Sequence, residues 1–525
     1  MTSNTTLLSI IAYARSGALD HAWRLFREAG FDSVTDDPAV LSVRGRLLKD
    51  SALGASGAER RRLYLEAAQA YARAGEPGGA SYPLINAATL SLLAGRTDQA
   101  KALAAQVLER SGAQPDEPET PYYRAATRAE ALLLLGDVAK AKLAFAEAIA
   151  LAPRAWEDHA STLRQFGLIL GELGQGAAWL DPLRPPRSLH FAGHMAVAPR
   201  EAGVGRKIRE VLEKERIGFG YGALAAGADI LIAEALLERR AELHLVLPAP
   251  PETFRRTSVE TFGGDWGFRF DAVIARADSV HTVAGTADPA GALGIQLAAQ
   301  VAMGEAVMQA QTLMTEAVQL LILDTGKPES RKGGASVWLG AAWKDSGRRQ
   351  HVIVARRTTG RPAAVRSARG LAPARLAALL AVQVSEPQTA DGAHIDRLVG
   401  EVFPRVGRAL AKGPAAILIP RWTGDALAAA YASPIDAAEA ALSIADALGG
   451  VASVRIGGHF GVVRRVDDPF GGAPLLLGAD SAIHVSEDFA AALHAGGEVR
   501  ARTEYVGDLP ISDPEDPVRL FSVKP

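Results

Sequence analysis

The 525-residue sequence predicts a multidomain protein with three regions in series: an α-helical repeat array, a doubly wound α/β domain and a smaller α+β domain. Three observations predict it. Residues 1–180 are rich in Ala and Leu at helical spacing, with short Gly-containing breaks. From residue 187 onward, apolar runs of strand length alternate with helical stretches, the pattern of a parallel sheet covered by helices. From residue 374 to the end the alternation resumes around a Gly-Asp turn. A length of 525 residues suits about three domains at ~150 residues each. With 48% hydrophobic and 22% charged residues, the chain is too apolar for disorder and folds around real cores.

Within the helical region a short phrase recurs: Gly17, Ala22, Phe26, Ala29; then Gly95, Ala100, Ala104, Val107; then Gly136, Ala141, Phe145, Ala148, closing at Pro153. A weaker copy is Ala67, Tyr71, Ala74. Small residues let two helices approach, the aromatic fills the gap, and Gly and Pro end the turns. The pattern resembles a degenerate tetratricopeptide (TPR-like) array of about four helix pairs, with repeat lengths scattered around those typical of such arrays. The stretch Tyr82-Pro83-Leu84-Ile85-Asn86-Ala87-Ala88 also resembles the helical region called TRAF-binding. Arrays of this kind imply a protein or peptide partner on the concave face; a structural spacer or dimerisation element is the plainer alternative.

After the Pro-rich joint Asp181-Pro182-Leu183-Arg184-Pro185-Pro186 come strands at 188–192, 217–219, 242–247, 317–324 and 351–355. Helices are expected at 204–215, from Gly220–Asp229 to Arg239, at 268–277 and at 293–314. Glycines between a strand and a helix let backbone N–H groups approach phosphate oxygens, and ligand then lies across the carboxyl ends of the strands. The run Gly222-Ala223-Leu224-Ala225-Ala226-Gly227-Ala228-Asp229, with Glu234 further along, resembles the SLOG group of Rossmann-like domains, relatives of LOG- and DprA-type proteins. That resemblance spans residues 187–356 and implies binding of a nucleotide or nucleotide-derived ligand. The candidates for shaping its pocket are Gly193, Gly222, Gly227, Asp229, Glu234, Gly333 and Gly334. A LOG-type hydrolase carries a Glu after its Gly-Gly turn, whereas here the run from Lys332 reaches Gly340 in that place, which disfavours hydrolysis. The plain reading of Gly220 and Gly222 is a simple turn, and of Glu234 a solvent-facing acid.

The C-terminal region holds an apolar strand at 416–419, Arg421-Trp422-Thr423-Gly424-Asp425, a helix at 433–448, a strand into Arg455-Ile456-Gly457-Gly458-His459-Phe460-Gly461, and a closing strand at 519–523. This order resembles the class III adenylate/guanylate cyclase domain over residues 374–525, implying an α+β, ferredoxin-like fold. In that family two aspartates hold two metal ions, Mg or Mn, beside the nucleotide. Asp425 matches the second aspartate and is the metal candidate; Arg421 stands where a base-selecting Lys is expected, as a nucleotide-binding candidate with different geometry. The counterpart of the first aspartate falls in Leu379-Leu380-Ala381-Val382-Gln383-Val384, which has no carboxylate. The expected Asn and Arg of a following helix are missing too. No Arg lies between Arg465 and Arg500 and no Asn after Asn86, as if that helix were deleted near Ile483–Glu487. Loss of one preorganised donor alone costs ~10²–10³-fold in rate, so the resemblance implies the scaffold without the chemistry. Taken without their flanking pattern, Gly424-Asp425 is an ordinary turn and His459 a packed strand residue.

Composition narrows the partners. The absence of Cys excludes disulfides, thiol catalysis and Cys-ligated zinc. No apolar run reaches the ~18 residues of a membrane span, Met1-Thr2-Ser3-Asn4 lacks the features of a secretory signal, and a cytoplasmic location is the expectation. A net charge of −2 provides no global attraction to nucleic acid. From Ser346 to Ser385 there is no acid while arginines accumulate, and residues 357–373 read as a basic linker. The combined expectation is a signalling or regulatory protein with a nucleotide-sensing Rossmann-like domain, a partner on the repeats and a nonenzymatic cyclase-like domain. The alternatives are an active cyclase completed by a second chain in a homodimer, and a nucleotide-cleaving hydrolase in the middle domain.

Overall fold

The structure is a computed structural model that describes residues 3–15, 18–76, 81–113, 120–197, 203–283, 291–324, 335–356, 374–384, 392–423, 426–449, 451–463, 482–497, 501–509 and 518–525. The chain folds as two units: residues 1–185 with 312–314, and residues 186–311 with 315–525. Among the described residues no helix is long and apolar enough to cross a membrane.

The first unit is built from α1 (Ser3–Arg15), α2 (Leu19–Glu28), α3 (Pro38–Gly54), α4 (Gly57–Gly75), α5 (Ser81–Leu93), α6 (Thr97–Ala113), α7 (Pro121–Leu134), α8 (Val138–Leu151) and α9 (Trp156–Glu172). Local chemistry sets the boundaries. Asp37 caps α3 by accepting from the N–H groups of Ala39 and Val40, and Pro38 occupies the first helical position. Gly95 and Gly136 take positive φ in the turns after α5 and α7, conformations that side chains with a Cβ disfavour. Most of the recurring small and aromatic residues face inward, with Phe26, Ala67, Ala104, Phe145 and Ala148 fully buried, whereas Ala29 is exposed. At Gly45 a Cβ would lie 2.7 Å from the Tyr71 ring, so α3 and α4 pack glycine against aromatic.

The second unit opens with β1 (Arg187–Gly193), α10 (Val204–Lys214), β2 (Ile217–Gly222), α11 (Ala228–Glu238), β3 (Glu242–Leu247), α12 (Pro251–Ser258), α13 (Trp266–Ile274), β4 (Ser279–Thr282), α14 (Ala292–Thr312), β5 (Ala317–Leu323), α15 (Ala335–Asp345) and β6 (Arg349–Val354). The six strands pair in parallel in the order β4-β3-β2-β1-β5-β6, so the strand order reverses between β1 and β5. Leu189, Phe191, Leu243 and Leu245 pack with α10 and α11 on one face. Met303 and Val307 of α14 and Trp343 of α15 share a cluster on the other.

A second sheet follows, from β7 (Arg375–Val384), α16 (Gly392–Arg397), a π-helical turn (Leu398–Val402), α17 (Phe403–Lys412), β8 (Leu418–Thr423), β9 (Ala426–Tyr431), α18 (Pro434–Leu448), β10 (Val454–Val463), β11 (Ala482–Ser486), α19 (Glu487–Ala495), β12 (Arg502–Leu509) and β13 (Val518–Lys524). Its order is β12-β13-β11-β10-β7-β9-β8, antiparallel except for the β10–β11 pair. The two sheets share one apolar core. Leu297, Ala298, Val301 and Ala302 of α14 and Val246 of β3 cluster with Ile456, Phe489, Ala490 and Leu493 of the second sheet and its helices.

Several elements differ from the sequence pattern. The strand expected at 416–419 begins at Leu418 and continues through Arg421 to Thr423. β4 is only four residues of mixed polarity, held at the sheet edge by pairing with β3. Directly after β11 the chain enters α19 rather than lacking a helix there; Ser486 caps it by accepting from the Phe489 N–H. α19 contains neither Asn nor Arg.

Candidate functional site

The glycine-rich turn after β2 is folded against its own chain. Met195 bridges to Gly227, and a Cβ on Gly227, whose φ is +106°, would lie 2.9 Å from the backbone nitrogens of both Ala196 and Val197. The segment that leaves β1 therefore crosses over the start of α11. Gly193 makes room for the Ala228 methyl, and Gly222 for Phe191, whose ring and carbonyl would each be 2.6 Å from an added Cβ. Three of the sequence candidates thus come together: Gly193, Gly227 and Asp229. Asp229 is buried, and its Oδ2 accepts from the Ala225 N–H at 3.1 Å. Burial pushes its carboxyl up to about 7, against the pull of the Ala225 and Gly193 N–H groups.

Glu234 does not join them. It accepts a bidentate pair from Arg269 of α13, Nε to Oε1 at 2.8 Å and Nη2 to Oε2 at 2.5 Å, tying two helices together. Gly333 and Gly334 lie outside the described residues, as do Gly424, Asp425 and 357–373. Arg421 falls in β8, its side chain outside the description. Thr423 pairs with Ala426 across the Gly424-Asp425 position, and Ala426 pairs with Gln383 of β7. β7 reads Arg-Leu-Ala-Ala-Leu-Leu-Ala-Val-Gln-Val and contains no acid. β7 thus carries no carboxylate that could serve as the first aspartate. In β10, Nδ1 of His459 is 2.9 Å from the Ser486 hydroxyl, and burial lowers its pKa.

A second polar cluster, invisible to sequence spacing, lies between the two sheets. His281 of β4, Glu305 of α14, Glu487 and Asp488 of the first turn of α19, and Arg519 of β13 converge there. Nδ1 of His281 is 3.4 Å from Oε2 of Glu487 and 4.0 Å from Oε1 of Glu305, and its Nε2 is 3.2 Å from Oδ1 of Asp488. Arg519 binds the other oxygen of Glu487 and lies over the rings of Tyr505 and Phe521. Burial disfavours charge on His281, but Asp488 and Glu487 outweigh it and hold its pKa well above the usual imidazole range. Burial and the Glu487 carboxylate push Glu305 up to about 8. Donor atoms of His281, Glu305 and Glu487 all lie within 4.8 Å of one another, an arrangement able to hold a metal ion. The one sequence trace of this cluster is Glu305 itself, the lone charged residue in the 21 residues of α14.

Residues 4–91 match the family model described as Tetratricopeptide Repeats-Sensor. No curated protein matches the chain. Among solved structures, an adenylate cyclase from Trypanosoma brucei in its monomeric state is similar at 13% identity over 28% of this chain and 87% of that one, with a TM-score of 0.21. A mutant O-GlcNAc transferase from Thermobaculum terrenum is similar at 12% identity over 60% of this chain and 75% of that one, with a TM-score of 0.17. Family match and helix packing together define a TPR-like repeat protein at the N-terminus. The complete layout is that repeat array followed by two α/β sheets.

Proposed function

We propose that the protein is a cytoplasmic signalling or regulatory protein in which the repeats dock a protein or peptide partner and the parallel-sheet half, a SLOG-like Rossmann-type domain, senses a nucleotide or nucleotide-derived ligand. The second sheet is then a degenerate class III cyclase-type domain of ferredoxin-like form, acting as a receiver or dimerisation module without catalysis.

One observation carries the reading. β7 is paired through Gln383 to the strand that follows the Gly424-Asp425 turn, and it is uncharged from Leu376 to Val384. Two-metal phosphoryl chemistry needs a carboxylate pair, and the neighbouring strand supplies no second member. α19 supplies no Asn or Arg to meet the charge that builds on a transferring phosphoryl group. The ligand would occupy the crevice beyond the carboxyl ends of β1 and β5, where the strand order reverses. Gly193, Gly227 and Asp229 border it, and any Mg or Mn would arrive with the nucleotide.

The test uses the full chain, since the two sheets share a core. Calorimetric titration against a panel of nucleotides and cyclic or linear dinucleotides is expected to find a binder, while incubation with ATP or GTP and Mn²⁺ yields no cyclic product. Cyclic product that disappears in Asp425→Ala overturns the noncatalytic assignment. Silence across the whole panel removes the sensing role.

A further inference from the structure

We propose that His281, Glu305 and Glu487 form a binding site for one divalent first-row transition-metal ion, with Asp488 positioning the imidazole from behind. The inference goes beyond the nucleotide reading without depending on it.

The donor geometry comes first. An ion with bonds of about 2.0–2.2 Å sets tetrahedral neighbours about 3.3–3.6 Å apart. From His281 Nδ1 the 3.4 Å to Glu487 Oε2 falls inside that range, and Glu305 Oε1 at 4.0 Å would close in slightly on an ion. Arg519 engages Oε1 of Glu487 and leaves Oε2 turned toward the imidazole. One imidazole with two carboxylates is a donor set suited to Mn²⁺ or Zn²⁺.

Asp488 supplies an independent observation. Its side chain is 6% exposed, and its Oδ1 has no hydrogen-bond partner although Nε2 of His281 is 3.2 Å away. A metal on Nδ1 fixes the tautomer with hydrogen on Nε2 and fixes the ring plane, so that Nε2–H is delivered to a carboxylate behind it, as metal-bound histidines generally require. The three ligands sit on β4, α14 and α19, elements packed into one core, and keep enough exposure (14–25% of each side chain) for an ion to enter.

Full-length protein stripped with a chelator and dialysed against Mn²⁺ or Zn²⁺ is expected to retain one ion per chain by elemental analysis. Mn²⁺-loaded protein should show nitrogen hyperfine coupling by electron paramagnetic resonance. His281→Ala and Glu487→Gln are expected to lose the ion, Asp488→Asn to weaken it about 10–100-fold, and Asp425→Ala to keep it. Absence of a retained ion with both metals overturns the site, as does retention unaffected by His281→Ala. Where a variant fails to fold, the wild-type spectrum decides, because a bound Mn²⁺ without nitrogen coupling also sinks the proposal. None of these outcomes involves a nucleotide, so failure here is distinguishable from failure of the sensing role.

Discussion

Gly304 of α14 and Ala491 of α19 meet backbone to backbone: a Cβ on Gly304 would overlap the Ala491 carbonyl group. This contact brings the next residue, Glu305, to the start of α19 where Glu487 and Asp488 stand. Glycine inside a helix ordinarily costs about 1 kcal/mol relative to alanine, so its presence here reflects the close approach.

Gly304→Ala should therefore destabilise the protein, reversing the helix-propensity trend. Because the overlap is with main chain, no rotamer change relieves it, and a loss of about 1–3 kcal/mol is expected in denaturant unfolding. An unchanged or higher midpoint would show that α14 and α19 are not in contact.

Glu215, 1% exposed, receives Arg187 at 3.1 Å and Arg349 at 2.9 Å on one oxygen and His351 at 2.9 Å on the other. Removing it leaves Arg187 and Arg349 only the exposed Glu316 at the edge of the parallel sheet, and Glu215→Ala should cost about 1–3 kcal/mol. Burial opposes its ionisation, yet His351 and Arg349 win and hold its pKa below the usual value. Its contribution is accordingly full above the ordinary carboxylate pKa and lost as pH falls through the depressed one. Comparing acid unfolding of wild type and Glu215→Gln measures that loss; coincident curves would refute it.

Glu130 gives the opposite sign. Within the helical array it accepts from the Thr89 hydroxyl at 2.5 Å, and burial pushes its pKa up to about 7, with Thr89 and Lys49 pulling the other way. The folded state holds a proton that the unfolded state has released, so stability falls as pH rises from the ordinary carboxylate value toward 7. Thermal melts of Glu130→Gln, which mimics the protonated acid, should be flatter over that window. A parallel pH dependence in both proteins would show that Glu130 is not the titrating group.

Tyr71 fills the notch above Gly45 and is 4% exposed. Tyr71→Ala should cost about 3–5 kcal/mol, the range for truncating a buried aromatic. Gly45→Val places branched carbons inside the ring's volume and should be at least as damaging. Circular dichroism melts of both variants check the pair, and tolerance of Gly45→Val would mean that α3 and α4 can separate.

The repeats and the parallel sheet were legible because burial is periodic there: Phe26, Phe145 and Ala148 recur at helical spacing, and β1, β3 and β5 are apolar runs. The intersheet cluster was not. His281, Glu305, Glu487 and Arg519 come from four distant segments, each of which alone reads as an ordinary edge histidine, helix acid or strand arginine. α19 was obscured as well, although Ser486-Glu487-Asp488 is a helix-start signature, because it lacks the Asn and Arg by which a cyclase helix is recognised. Among the glycines, sequence points to phosphate approach, while Gly193, Gly222 and Gly227 are closely met by protein atoms.

Leu297, Ala298, Val301 and Ala302 put α14 into the core of the second sheet while Met303 and Val307 serve the first. A helix dry on two sides belongs to neither owner. A recombinant fragment ending at residue 356 would carry a bare greasy flank into water and invite clumping, and the complete pair should melt in a single step.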